Sequence, residues 1–97
     1  MNSVRGETDL MVAGQTRRLC LTLGALAEIE AALGCRTISE LETRLRRMSA
    51  ADLVIVVAAL LRGGGEGHVA RQITDADIAP GAAAQAVAEA FRLGLSG

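Results

Sequence analysis

The stretch Leu19-Cys-Leu-Thr-Leu-Gly-Ala-Leu-Ala-Glu-Ile-Glu-Ala-Ala-Leu-Gly34 decides the fold, because the spacing of its apolar residues changes within it. Up to Leu23 the leucines stand two residues apart, which is typical of one face of a β-strand. From Leu23 onward the apolar residues follow at helical intervals, at Leu26, Ile29 and Leu33. Thr22 is placed to cap the first helical N–H groups, and Gly34 to end the helix in the left-handed conformation. The stretch predicts a strand that leads directly into a helix, with both apolar faces on one core.

An antiparallel β-hairpin over residues 7–22 is predicted before this helix. Gly14 and Gln15 are predicted to form its turn, of type II′, because glycine suits the first central position of that turn. The matching register sets Leu10 opposite Leu19, and a slip by one residue would move Leu10 to the wrong face of the hairpin.

Capping sequences mark the helices that follow. Thr37-Ile-Ser-Glu40 and Ser49-Ala-Ala-Asp52 both have the form of a capping box. Leu53 to Leu61 is apolar on all sides and predicts a central buried helix, in which Ile55→Asp should unfold the domain. The predicted helices span residues 23–33, 38–48, 50–62 and 82–95, with short helical turns between 68 and 79. The fold class is α+β, a single domain over 1–97 in which a two-stranded antiparallel hairpin precedes a compact bundle of about four helices.

The exposed face of the helix at 38–48 carries alternating charges. Glu40 with Arg44, and Glu42 with Arg46, are spaced for ion pairs between residues i and i+4. Together with Arg47 these arginines form the densest basic cluster of the chain, and the interleaved acids favour a solvated, ion-paired face over a nucleic-acid contact.

The sequence lacks the residues that a catalytic, metal or cofactor site would need. The sequence has no lysine, which excludes P-loop, Schiff-base and Ser–Lys chemistry. His68 is the single histidine and has no ligand cluster around it, and Asp75 and Asp77 fit a helix start better than a catalytic pair. We therefore expect no enzyme activity, no metal and no cofactor.

Two further features have structural interpretations. Cys20 and Cys35 flank a helix whose ends are ~15 Å apart, beyond the ~7 Å limit for a disulfide, so two packed thiols are predicted. Gly63 to Gly67 lacks the Lys-Ser/Thr ending of a phosphate-binding loop and predicts a flexible connector.

Charge and hydropathy limit the partners. The net charge of −1 provides no field to attract nucleic acid. The longest apolar run, Leu53 to Leu61, is less than half of the ~20 residues that span a bilayer. With no visible N-terminal signal, a cytoplasmic location without membrane contact is predicted.

The chain resembles a known family in Arg5-Gly6-Glu7, in the hairpin with Gly14, in Leu21-Thr-Leu-Gly-Ala-Leu-Ala-Glu-Ile-Glu30 and in Leu33-Gly34. This is the gene-transfer-agent family of small phage-tail proteins. Its members open with Arg-Gly-Glu and a hairpin, and continue into a Thr-(Leu/Phe)-Gly-Ala-Leu-Ala-Glu-(Leu/Ile)-Glu helix. The hairpin departs from the usual Asp-Gly turn, since Ala13 precedes Gly14. The resemblance implies a role in building the tail of a phage-like particle in a bacterium.

Within that role, the favoured interpretation is a tail-assembly chaperone that binds apolar segments of the tape-measure protein in the cytoplasm of the producing bacterium. A structural part of the tail, in the tube or as a minor component, is the alternative. A small DNA-binding regulator is an alternative of another class. The implied partners are tape-measure and tail tube proteins, and self-association stays open.

A chaperone for apolar helices needs an exposed apolar groove. Two segments could line one, and the same residues could equally belong to the core. The candidate partner-binding residues are Ile38, Leu41, Leu45, Met48, Phe91 and Leu95.

Overall fold

A computed structural model describes residues 7–74 and 77–96. In that part of the chain the elements follow in the order β1 (Glu7–Val12), β2 (Gln15–Cys20), α1 (Leu23–Leu33), α2 (Ile38–Leu45), α3 (Ala50–Gly63), α4 (Gly67–Ala70) and α5 (Pro80–Leu95). This is the predicted α+β fold, an antiparallel hairpin followed by helices. Arg5 and Gly6 of the resemblance, and Asp75 of the proposed helix start, lie outside the described residues.

The hairpin turn is formed by Ala13 and Gly14, whose φ angles of 52° and 84° are both positive. Two positive φ values characterise a type I′ turn, which fits the twist of the strands, so the predicted type II′ turn is wrong. Leu10 pairs with Arg17 rather than with Leu19, and the predicted register is wrong by two residues. A shift of two keeps each side chain on its face, which is why Leu10 and Leu19 are both buried nevertheless.

Helix α1 begins and ends as its caps predict. The Ala25 N–H donates to Thr22 Oγ1 over 3.0 Å, and Gly34 has a left-handed φ of 73°. The strand, however, ends at Cys20, and Leu23 is 82% exposed. The prediction that Leu23 belongs to the apolar face of both elements is wrong, because the first residue of α1 points to solvent where the chain changes direction.

Helix α3 is the central helix, as predicted from its all-apolar sequence. It packs against α1, α4, α5 and β2. Val56, Val57 and Leu60 are fully buried, whereas Ile55 is 39% exposed. The predicted unfolding by Ile55→Asp was therefore assigned to the wrong residue, because a run that is apolar on all sides does not reveal which side faces solvent.

Helix α2 ends at Leu45, before the predicted end at Met48. Its N-cap is Thr37, whose hydroxyl accepts the Glu40 N–H over 3.0 Å. The Glu40 carboxylate accepts the Arg36 N–H over 2.7 Å, one residue before the position that a capping box requires. The capping box predicted here is thus half formed, whereas the one at the start of α3 is complete.

Arg44 connects the helices around α2. Its guanidinium donates to the Leu33 carbonyl at the end of α1 (2.9 Å) and to the Asp52 carboxylate in the first turn of α3 (3.0 Å). The hydrogen bond from Arg44, and a second from the Ser49 backbone, lower the pKa of Asp52. The predicted pair of Glu40 with Arg44 is replaced by this longer-range contact, and no Glu42–Arg46 ion pair occurs in the described part of the chain.

Gly63 and Gly64, at the end of α3, form a packed contact, so the prediction of a flexible connector over Gly63 to Gly67 is wrong for these two residues, whereas Gly65 and Gly67 have open space around them. A Cβ on Gly63 would lie 2.2 Å from the Cys20 carbonyl oxygen, and one on Gly64 would lie 2.3 Å from the Arg18 carbonyl oxygen. The Glu66 carboxylate also accepts the Arg18 N–H over 3.2 Å. The end of α3 therefore covers the outer edge of β2, and only glycine allows so close an approach.

Candidate partner-binding surface

The exposed side of α5 is the floor of a surface groove. Its buried side, which includes Val87 and Phe91, packs toward β1 and α3. Most side chains on the exposed side are alanines, and because these are short, the surface of α5 lies below that of the neighbouring elements. Beyond Pro80 and Gly81 at its start, the exposed residues are Ala82, Ala84, Gln85, Ala88 and Arg92.

At one end this floor meets α2. A shallow cavity of about 340 Å³ lies there, and three of the predicted partner-binding residues line it: Leu45, Phe91 and Leu95. Phe91 is only 6% exposed and belongs to the core, while Leu45 and Leu95 are partly buried against it. The fold therefore brings half of the predicted set together, from two helices that are far apart in sequence.

The rest of the predicted set is dispersed. Leu41 is fully buried and Met48 is partly buried against the core. Ile38 is 43% exposed at the start of α2 and does not line the cavity. The periodicity that made these residues look like one stripe corresponds to the core for Leu41, while α2 ends before Met48 is reached.

Beside β1 the groove is larger. A cleft of about 640 Å³ lies at the surface where β1 and α5 pack together, and it is lined by Thr8, Asp9, Leu10, Met11, Ala82, Gln85, Ala86, Ala88, Glu89 and Arg92. Ala88 and Arg92 line both this cleft and the smaller cavity. The two therefore adjoin along α5, and together we call them the α5 groove.

The outer edge of β1 borders the α5 groove. In a hairpin with a two-residue turn, alternate residues exchange backbone hydrogen bonds with the partner strand. In the observed register these are Thr8, Leu10 and Val12 of β1, so the backbone groups of Glu7, Asp9 and Met11 point away from β2. At the turn end of this edge the Ala13 N–H donates to the Asp77 carbonyl over 2.9 Å. Within the described residues the outward backbone groups of Glu7, Asp9 and Met11 have no such cover, unlike the edge of β2, which Glu66 and Gly64 cover.

One ion pair lies in the wall of the groove. Arg92 donates to Glu89 from Nε (3.2 Å) and Nη2 (2.5 Å). These hydrogen bonds lower the pKa of Glu89, and the same carboxylate raises the pKa of Arg92. The wall is therefore electrically balanced, and the unbalanced charge of this surface lies on β1.

The described residues do not bring potential metal-binding or reactive side chains together in one cluster. Residues 7–74 and 77–96 contain no group of three or more His, Cys, Asp or Glu side chains that could hold a metal ion. His68 is exposed on α4. Cys20 is buried and Cys35 partly buried, with no disulfide between them, and burial is the largest cause of the raised pKa of Cys20. No described helix is long and apolar enough to cross a membrane.

Besides Ile55, two exposed apolar side chains were not predicted from the sequence. Met11 is 55% exposed beside the α5 groove and Leu23 is 82% exposed at the start of α1. Met11 could have been found, because it alternates with the buried Leu10 and Val12. The exposure of Leu23 could not have been predicted, because Leu23 fits the spacing of the apolar face of the strand and also that of the helix.

Comparison with known proteins identifies one family that the chain matches. A family model described as phage tail tube protein, GTA-gp10, matches residues 5–97. No curated protein matches the chain significantly. No solved structure does so either.

Proposed function

The chain belongs to the family of phage tail tube proteins described as GTA-gp10, and from this membership we propose that it is a structural component of the tail tube. The resemblance to gene-transfer-agent tail proteins is confirmed, and with it a role in a phage tail. The observation that carries the proposal is the extent of the match, since residues 5–97 include the hairpin and every described helix.

The tail-assembly chaperone favoured by the sequence analysis receives less support than the structural component. The family description names a tube protein. Two residues expected in the chaperone's groove, Leu41 and Phe91, are buried at 0% and 6% exposure. A chaperone of this kind would have to open its own core to present them, which costs several kcal/mol of burial energy (about 1.5–3 kcal/mol for each large apolar side chain).

The proposal includes the absence of catalysis. A tube component needs surfaces that fit its neighbours rather than an active site, and the lack of lysine and the isolated His68 agree with that. We propose that its partners are other tail proteins, that it is made in the cytoplasm of the producing bacterium, and that it binds neither nucleic acid nor membrane.

Immunogold labelling of purified particles tests the proposal. A chain with an epitope tag at its C-terminus, expressed from its own locus, should place gold particles along the tail and should survive a high-salt wash. Labelling that is absent from particles, while the tagged chain co-purifies with the tape-measure protein from the lysate, would establish the chaperone instead. Retention on DNA at low salt alone would favour the regulator, because phosphate contacts weaken steeply as salt rises.

A further inference from the structure

The outer edge of β1 is acidic, and over Glu7, Asp9 and Met11 its backbone groups form no hydrogen bond outside the hairpin within the described residues. Asp9 is exposed and Glu7 is partly buried, and neither forms an ion pair within the described residues. The outward backbone carbonyls lie in the plane of the hairpin, beside the carboxylates, which project from its face. Together with the exposed Met11, these residues form what we call the β1 rim, a row of acceptors above the α5 groove.

The described part of the chain also carries a small basic surface that takes part in none of the contacts described above. Arg46 and Arg47 occupy the turn between α2 and α3, and both are exposed. The sequence analysis assigned them to an ion-paired face, yet neither side chain forms an ion pair in residues 7–74 and 77–96. We call these two residues the basic turn.

The two surfaces are complementary and lie on different elements. β1 packs on β2 and α5, whereas α2 packs on α1. A guanidinium has five N–H donors in a planar fork, which suits carboxylates and carbonyl oxygens alike. The β1 rim offers both kinds of acceptor, and the α5 groove beside it leaves about 640 Å³ of space for the arginine stems.

From this complementarity we propose that the β1 rim of one copy binds the basic turn of a second copy of this chain. The inference rests on the proposed function, since a tube requires copies or neighbours in repeating contact. Contacts between two different surfaces are heterologous, and they generate rings or open helical arrays rather than closed pairs. Pairing of two β1 rims would instead set acidic side chains against each other, which is unfavourable.

Two variants test the contact, and each lacks the charges of one of the two surfaces while keeping those of the other; we call them half-disabled variants. Glu7→Gln with Asp9→Asn removes the charge of the β1 rim, and Arg46→Gln with Arg47→Gln removes that of the basic turn. Arg36→Gln with Arg71→Gln is the matched control, because both arginines are exposed, form no ion pair in the described residues and lie elsewhere. Circular dichroism melting verifies that all variants fold.

Sedimentation velocity then gives the outcome. The unmodified chain and the control variant should associate increasingly with concentration and less in high salt. Each half-disabled variant alone should associate about tenfold more weakly. Their equimolar mixture should regain one intact contact and stop at a 1:1 pair.

The proposal is overturned if the unmodified chain stays monomeric, if either half-disabled variant associates like the control, or if the mixture forms no pair. These outcomes are distinct from a failure of the proposed function. If gold labels the tail and the substitutions do not change the association, the chain is a tail component that assembles through other surfaces.

Discussion

Arg44 and Asp52 hold three helices together. The guanidinium of Arg44 lies 3.0 Å from Asp52 Oδ2 in α3, and its other terminal nitrogen donates to the Leu33 carbonyl that ends α1. The side chain of Asp52 is 14% exposed and that of Arg44 is 40% exposed. Because few other contacts hold α2, we expect this pair to fix the position of that helix and of the cavity that it forms with α5.

The stability of the protein should depend on pH through Asp52. The pKa of Asp52 is lowered in the folded state, so its ionised form stabilises the fold. That contribution is fully present above the unfolded pKa of aspartate, about 3.9, and is lost as the pH falls through the lower folded value. Urea denaturation should show Asp52→Asn to be less stable than the unmodified chain at neutral pH, with the difference disappearing in acid. A difference that persists unchanged in acid would contradict the role of the carboxylate charge.

Gly64→Ala should destabilise the protein. Its Cβ would lie 2.3 Å from the Arg18 carbonyl oxygen, so the end of α3 and β2 must move apart. Overpacking of this kind costs about 1–3 kcal/mol, measurable by urea denaturation. Gly67→Ala is the control, because a Cβ there meets nothing within 4 Å. Equal stability of the two variants would show that the α3–β2 contact is loose.

Ala13→Asn should stabilise the hairpin. Ala13 has a φ of 52° and lies in the first position of a type I′ turn, where asparagine followed by glycine is favoured. A left-handed conformation costs an ordinary residue roughly 1–2 kcal/mol, and we expect asparagine to recover about half of it as a higher free energy of unfolding. Ala31→Asn, on the exposed side of α1, is the control and should lower stability slightly. A destabilised Ala13→Asn variant would argue against the type I′ turn.

Val56→Asp and Ile55→Asp should behave differently although they are neighbours. Val56 is fully buried in α3, and an unpaired buried carboxylate costs several kcal/mol, a large part of the ~5–15 kcal/mol that typically stabilises a domain. Ile55 is 39% exposed, so its aspartate can reach water, and we expect a loss of about 1 kcal/mol. Thermal melting followed by circular dichroism distinguishes them. Loss of the folded state in both variants would mean that α3 is buried on all sides.

The sequence allowed the kind and order of the elements to be predicted better than their contacts, although α5 begins at Pro80 rather than at the predicted residue 82, because proline fits the first turn of a helix. Caps such as Thr22 and Gly34 are local, so the bounds of α1 followed from them. The turn and register of the hairpin did not follow, because a shift of two residues preserves the same apolar face. The orientation of Ile55 was likewise hidden in an all-apolar run.

The candidate surface was predictable only in part. The spacing placed Leu45, Phe91 and Leu95 among apolar faces, but only the folded arrangement of α2 and α5 shows that they line one cavity. Which edge of the hairpin stays open depends on which strand the end of α3 covers. That choice was decided by the close approach of Gly63 and Gly64 to β2, a contact between residues far apart in the chain.

The number of copies of this chain in purified particles tests the central claim most directly. Quantitative mass spectrometry of gradient-purified particles should give a constant ratio of this chain to the other tail proteins across the particle peak and after a high-salt wash. That result is expected of a structural component of the tail tube. A chain that is abundant in the producing cells but absent from the particle peak would contradict the claim.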